Sequence, residues 1–89
     1  MIAREITFTG RVQGVGFRFT ARRAANRRQL TGYVRNMPNG SVEMVAQGQP
    51  KEVDDCIQVI KEYFSGYIRE TKIVKITVDP TYTDFQITF

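Results

Sequence analysis

Glu5-Ile6-Thr7-Phe8-Thr9-Gly10-Arg11-Val12-Gln13-Gly14-Val15-Gly16-Phe17-Arg18-Phe19-Thr20-Ala21 is the stretch from which the architecture follows. Its first residues alternate, Ile6 and Phe8 on one face and Glu5, Thr7 and Thr9 on the other, which predicts a half-buried strand over about 4–10. Beyond it, Phe17, Ala21, Ala24 and Ala25 fall on one stripe of a helix predicted over about 18–29, with arginines on the remaining surface. Between the two lies a loop whose Gly14 and Gly16 can take positive φ and let a ligand approach the backbone. The helix that follows points its unpaired N–H groups back at this loop, so strand, loop and helix together read as a seat for an anion.

The charges support that reading. Arg18 stands at the start of the helix, where a cation is disfavoured by ~0.3–1 kcal/mol unless an anion is also present. The second predicted helix obeys the usual rule, with Glu52, Asp54 and Asp55 in its first turns. The net charge of +4 is also uneven: residues 1–43 hold eight arginines against Glu5 and Glu43, while residues 44–89 hold five cations against seven acids. The glycine loop therefore sits in a strongly positive half, which concentrates anionic partners around it.

Outward from the loop, Gly32-Tyr33-Val34-Arg35-Asn36-Met37 predicts a second strand, Pro38-Asn39-Gly40 a hairpin turn, and Ser41-Val42-Glu43-Met44-Val45-Ala46 a third strand. Gly48-Gln49-Pro50 opens a second helix whose apolar residues Val53, Cys56, Ile57, Ile60 and Phe64 form one face, with Gly66 as its stop. A fourth strand is predicted over about 71–78 and a short last strand over 85–89. The order strand, helix, strand, strand, helix, strand is that of an α+β, ferredoxin-like split βαβ sandwich. Such a fold has an antiparallel sheet with two helices on one face, here with a short extra C-terminal strand. In it the first two strands run parallel with the third between them, so the glycine loop and Asn36 leave the sheet at one end.

Composition narrows the chemistry. Eighty-nine residues predict a single domain over 1–89. There is no histidine, which removes the commonest general base and metal ligand, and the lone Cys56 excludes an intrachain disulfide and a thiolate-built zinc site. Cys56 shares the apolar stripe of the second helix and reads as core. No apolar run approaches a membrane span, and the first residues run directly into strand pattern, so a cytoplasmic protein is expected.

Gly10-Arg11-Val12-Gln13-Gly14-Val15-Gly16-Phe17-Arg18, followed by Gly32-Tyr33-Val34-Arg35-Asn36 and Asn39-Gly40-Ser41-Val42-Glu43, resembles the acylphosphatases over nearly the whole chain, including the Phe85-x-Ile87-x-Phe89 tail. The resemblance implies hydrolysis of a small-molecule acyl phosphate to a carboxylate and inorganic phosphate, without metal or cofactor. It implies a catalytic arginine at Arg18 and a catalytic asparagine at Asn36. The phosphate would be held by the loop residues Gln13, Gly14, Val15, Gly16, Phe17 and Arg18. Tyr33 stands where the family more often has Trp, and Ser65-Gly66-Tyr67 replaces a common Gly-Pro; both fall off the site.

Two alternatives use the same fold. A basic nucleic-acid-binding module would need stacking aromatics on its helix-free strand face, where this sequence offers Thr7, Thr9, Glu43 and Val45. A non-catalytic phosphate-binding module would not need Asn36. Arg22, Arg23, Arg27 and Arg28 read as a solvated helix face, and Arg35, alternating away from Asn36, as exposed. Strand 2 and the last strand are candidate sheet edges, neither with an apolar patch demanding a partner, and a monomer is expected.

Overall fold

The computed structural model describes residues 1–89. Its elements run β1 (Ile2–Gly10), α1 (Phe17–Arg27), β2 (Thr31–Asn36), β3 (Val42–Gly48), α2 (Pro50–Tyr63), β4 (Ile68–Ile76) and β5 (Phe85–Thr88). One sheet of order β4-β1-β3-β2-β5 carries both helices on one face. The first four strands pair antiparallel, and β5 adds to β2 in parallel, so the sheet is mixed.

The predicted stripes are the buried ones. Phe17, Ala21, Ala24 and Ala25 of α1 and Val53, Cys56, Ile57 and Ile60 of α2 pack with Ile6, Phe8, Val34, Val42, Met44 and Ala46 of the sheet into a common core. The alanines of α1 let that helix lie close to the sheet, and Phe17 fills the remaining space against Phe8 and Phe64, with centroids 4.9 and 4.5 Å away. Pro50 and Glu52 begin α2 as expected, and Lys51 bonds Asp55 one turn on at 2.7 Å.

Three expectations change. Strand β4 begins at Ile68 rather than near 71, because β1 is long enough to pair Gly10 with Ile68 through a bulge at Thr9 and Gly10. Helix α2 ends at Tyr63, with Phe64 as its C-cap, before Gly66 is reached. Strand β2 is not an edge: β5 covers it, and β4 and β5 are the two edges. Between those edges, residues 77–84 pass from one side of the sheet to the other. Asp79 is tied there to buried Gln47, which donates to its carbonyl at 2.8 Å and accepts from its N–H at 3.0 Å.

Candidate functional site

Strands β1 and β2 both run antiparallel to β3, so they are parallel to each other, and Val42 pairs with Phe8 on one side and Asn36 on the other. Asn36 therefore ends β2 level with the last turn of chain before the glycine loop. It shares the face of Val34, the face that α1 covers.

The loop itself is held at several points. Val12 is fully buried, Phe17 is locked among aromatic rings, and Val15 packs against the edge of the core. The Gln13 side chain adds a clasp: its Nε2 donates to the carbonyls of Met37 and Ser41, both at 2.9 Å. Those carbonyls belong to the β2–β3 hairpin, which is closed by Met37 N–H to Ser41 O at 2.8 Å and by Asn39 Oδ1 accepting from Ser41. One amide side chain thus joins the glycine loop to the hairpin that carries Asn36.

Gly14 and Gly16 have φ of +77° and +79°, while Gln13, Val15 and Phe17 keep negative φ. This alternation of hand is the geometry of an anion-binding backbone nest. The Cβ positions of both glycines look into open space, so their requirement is conformational and not one of room. No backbone N–H from Val12 to Phe19 has an acceptor within the protein. Gly16 is the N-cap of α1 with no side-chain cap, and no acidic residue lies in the first turn.

A cavity of about 180 Å³ is lined by Val12, Gly14, Gly16, Phe17, Arg18, Phe19 and Asn36. At about 30 Å³ per liquid water it has room for a phosphoryl group and a water beside it. The structure thus gathers Gly14, Gly16, Phe17, Arg18 and Asn36 around one space. The side chains of Gln13 and Val15 are engaged elsewhere, Gln13 with the hairpin and Val15 with the core. Neither the Arg18 guanidinium nor the Asn36 amide side chain has a hydrogen-bonding or ion-pair partner in the protein. The Arg18 guanidinium lies 5.1 Å from the ring centre of Phe89.

Sequence reasoning missed three contributions here. The Gln13 side chain ties the loop to the β2–β3 hairpin, a contact between segments 24 to 28 residues apart that the loop motif does not announce. Phe19 lines the cavity although it follows the glycine motif. Phe89 reaches Arg18 because the parallel register ends with Arg35 opposite Thr88, so the residue that follows β5 emerges at the end of β2 where Asn36 lies, a placement no local pattern announces.

The helix-free face also differs from its expected appearance. Val45 is buried, not displayed, and Arg35 is not free but bonds Glu43 through Nε at 3.0 Å. Tyr33 donates to the same carboxylate at 2.7 Å, and its ring is 6.0 Å from that of Tyr82. Burial, then the hydrogen bond to Glu43 and its charge, raise the Tyr33 phenol well above its usual pKa. The one aromatic of the inner strands on this face is therefore tied to a carboxylate, an arrangement poorly suited to stacking a phosphate-bearing base.

The acylphosphatase family model matches residues 4–87. Among solved structures, the acylphosphatase from Bacillus subtilis is 30% identical, with a TM-score of 0.92 and all of both chains covered. An acylphosphatase from Coxiella burnetii is 33% identical over 98% of this chain and 92% of that one, with a TM-score of 0.79. A full-length HypF solved in its phosphate- and nucleotide-bound form is 30% identical across 99% of this chain but only 12% of its own, with a TM-score of 0.86. With a family match that begins in β1 and ends in β5, and a fold shared along its whole length with such structures, the chain belongs to the acylphosphatase family.

Proposed function

We propose that the protein hydrolyses acyl phosphates, cleaving the carboxyl–phosphate bond to give a carboxylate and inorganic phosphate. One observation carries this reading: a run of unpartnered amides, an unpartnered guanidinium and an unpartnered carboxamide border the same small cavity. The amides of Gln13 to Arg18 and the Arg18 fork hold the phosphoryl oxygens and stabilise the charge they gain in the transition state. Asn36 orients a water in line with the leaving group. The water oxygen bonds to phosphorus as the bond from phosphorus to the acyl oxygen breaks, and the bonding pair departs with the carboxylate. The water's proton passes to a phosphoryl oxygen, because an amide is too weak a base to keep it.

The scheme suits a chain without histidine. The leaving carboxylate has a conjugate-acid pKa of ~4, so it needs no general acid at neutral pH. Steady-state hydrolysis of benzoyl phosphate, with and without chelator, tests the proposal. Turnover that survives chelation is the expected result. No turnover would reduce the site to an anion-binding module, and chelator-sensitive turnover would overturn the route through protein groups alone.

A further inference from the structure

Strand β4 is an outer strand of the sheet, so along one side its backbone N–H and C=O groups have no neighbouring strand to bond. The other edge, β5, has four residues, whereas β4 has nine, with six of their side chains exposed. The pairing of β4 with β1 shifts register at Thr9 and Gly10, and from Glu70 to Ile76 it is continuous. This regular stretch is long enough to take an added strand of ordinary length.

The side chains along it specify what that strand should carry. Ile73 lies opposite Ile6 and continues the apolar row of the helix-covered face, yet it is 47% exposed. Val74, opposite Glu5 on the helix-free face, is 39% exposed. Lys72 and Lys75 flank this apolar pair, and neither has an ion-pair partner; Glu5, the one acid of β1, bonds neither of them. Lys75 lies directly opposite Arg4, in a row that runs Ala46, Arg4, Lys75 and holds no acid. Like charges set opposite each other in a sheet are destabilising, and a carboxylate added at the end of the row offsets them.

We propose that β4 receives an extended acidic segment of a partner protein as a sixth, antiparallel strand. Its order is acidic, apolar, apolar, acidic, opposite Lys75, Val74, Ile73 and Lys72 in turn. Main-chain bonds to the open edge supply affinity, and the alternating side chains supply selectivity. One carboxylate completes the row of Arg4 and Lys75, and one apolar side chain extends the row of Ile6 and Ile73. The same lysines turn away a second copy of the chain, which carries a net charge of +4 and would bring more lysines to the edge in place of carboxylates.

The test follows backbone amide resonances while the capped peptide Thr-Asp-Val-Ile-Glu-Thr-Thr is added. Shifts should saturate and centre on residues 70–76, and the peptide Thr-Lys-Val-Ile-Lys-Thr-Thr should bind about ten-fold more weakly or worse at low salt. The variant K72E/K75E, checked for folding by thermal melting, should reverse that preference. Two N-methylated forms of the acidic peptide, blocked at its even or at its odd positions, test strand addition on the natural chain, since only one of the two sets faces β4. One form should bind and the other should not. Equal binding of the acidic and lysine peptides, equal binding of the two methylated forms, shifts centred away from β4, or no binding would each overturn the inference. Sedimentation that shows the free chain already paired, with the pairing lost in K72E/K75E, would assign the edge to a second copy instead.

Discussion

Arg18 and Asn36 face the same cavity but do different work under the proposed mechanism, and their variants should separate accordingly. Asn36→Ala should lower kcat by 10²-fold or more while inhibition by inorganic phosphate stays close to normal. Arg18→Ala should damage both, and Arg18→Lys should restore little, since a point charge cannot replace a planar fork. Phosphate titration of the folded variants alongside steady-state kinetics distinguishes these outcomes; normal phosphate binding by Arg18→Ala would remove the role given to it. Gln13 makes a separate case. Its two bonds to the hairpin fix the spacing between loop and Asn36, so Gln13→Ala should cost about 1–3 kcal/mol in urea unfolding and lower kcat as the two parts uncouple. Gln13→Glu, which cannot donate when ionised and would set a carboxylate against two carbonyls, should do no better.

At the level of elements, helix α1 has a left-handed residue at each end. Gly16 opens it at φ +79°, and Gln29, two residues past its last turn, has φ +56° with the Leu30 N–H returning to the Ala25 carbonyl at 3.0 Å. Glycine holds the first position without strain, whereas glutamine holds the second at a cost. Gly16→Ala should therefore destabilise by about 1–2 kcal/mol and weaken phosphate inhibition, while Gln29→Gly should stabilise by up to about 1 kcal/mol and leave phosphate inhibition alone. Denaturant melts of the two variants read these opposite signs. The contrast also shows what sequence could and could not disclose. The glycines at 14 and 16 are visible because few roles besides positive φ demand them so close to a helix start. The same conformation at Gln29 carries no compositional mark, and the helix accordingly ends at Arg27, earlier than its pattern suggests.

Across the whole molecule, legibility follows the range of the interactions. Both helix stripes, the hairpin at Asn39-Gly40 and the convergence of the glycine loop with Asn36 were readable from local periodicity and strand order. The start of β4, the interior position of β2 and the approach of Phe89 to Arg18 were not, because each depends on a register between distant segments. Burial also has a consequence for pH. It pushes the Cys56 thiol up to about 11, and burial with the Glu43 bond raises the Tyr33 phenol, so the folded state holds both protons more tightly than the unfolded chain. Stability from these groups is complete below about pH 9 and should fall as pH rises from there through about 11. Melting temperatures across pH 7–11 check the direction, and a thiol reagent at pH 8 should label Cys56 only on unfolding.

The sheet's outermost pairings join segments far apart in sequence, Ala3 with Ile76 and Gly32 with Phe85. Each requires closing a long loop before any contact repays the lost chain freedom, so refolding should take milliseconds to seconds in spite of the small size. The helical hairpins of comparable length that form from neighbours in sequence set the contrasting pace. Stopped-flow refolding should show Tyr33 and Tyr82 fluorescence maturing with the slowest step, since their approach awaits the strand that docks beside Asn36.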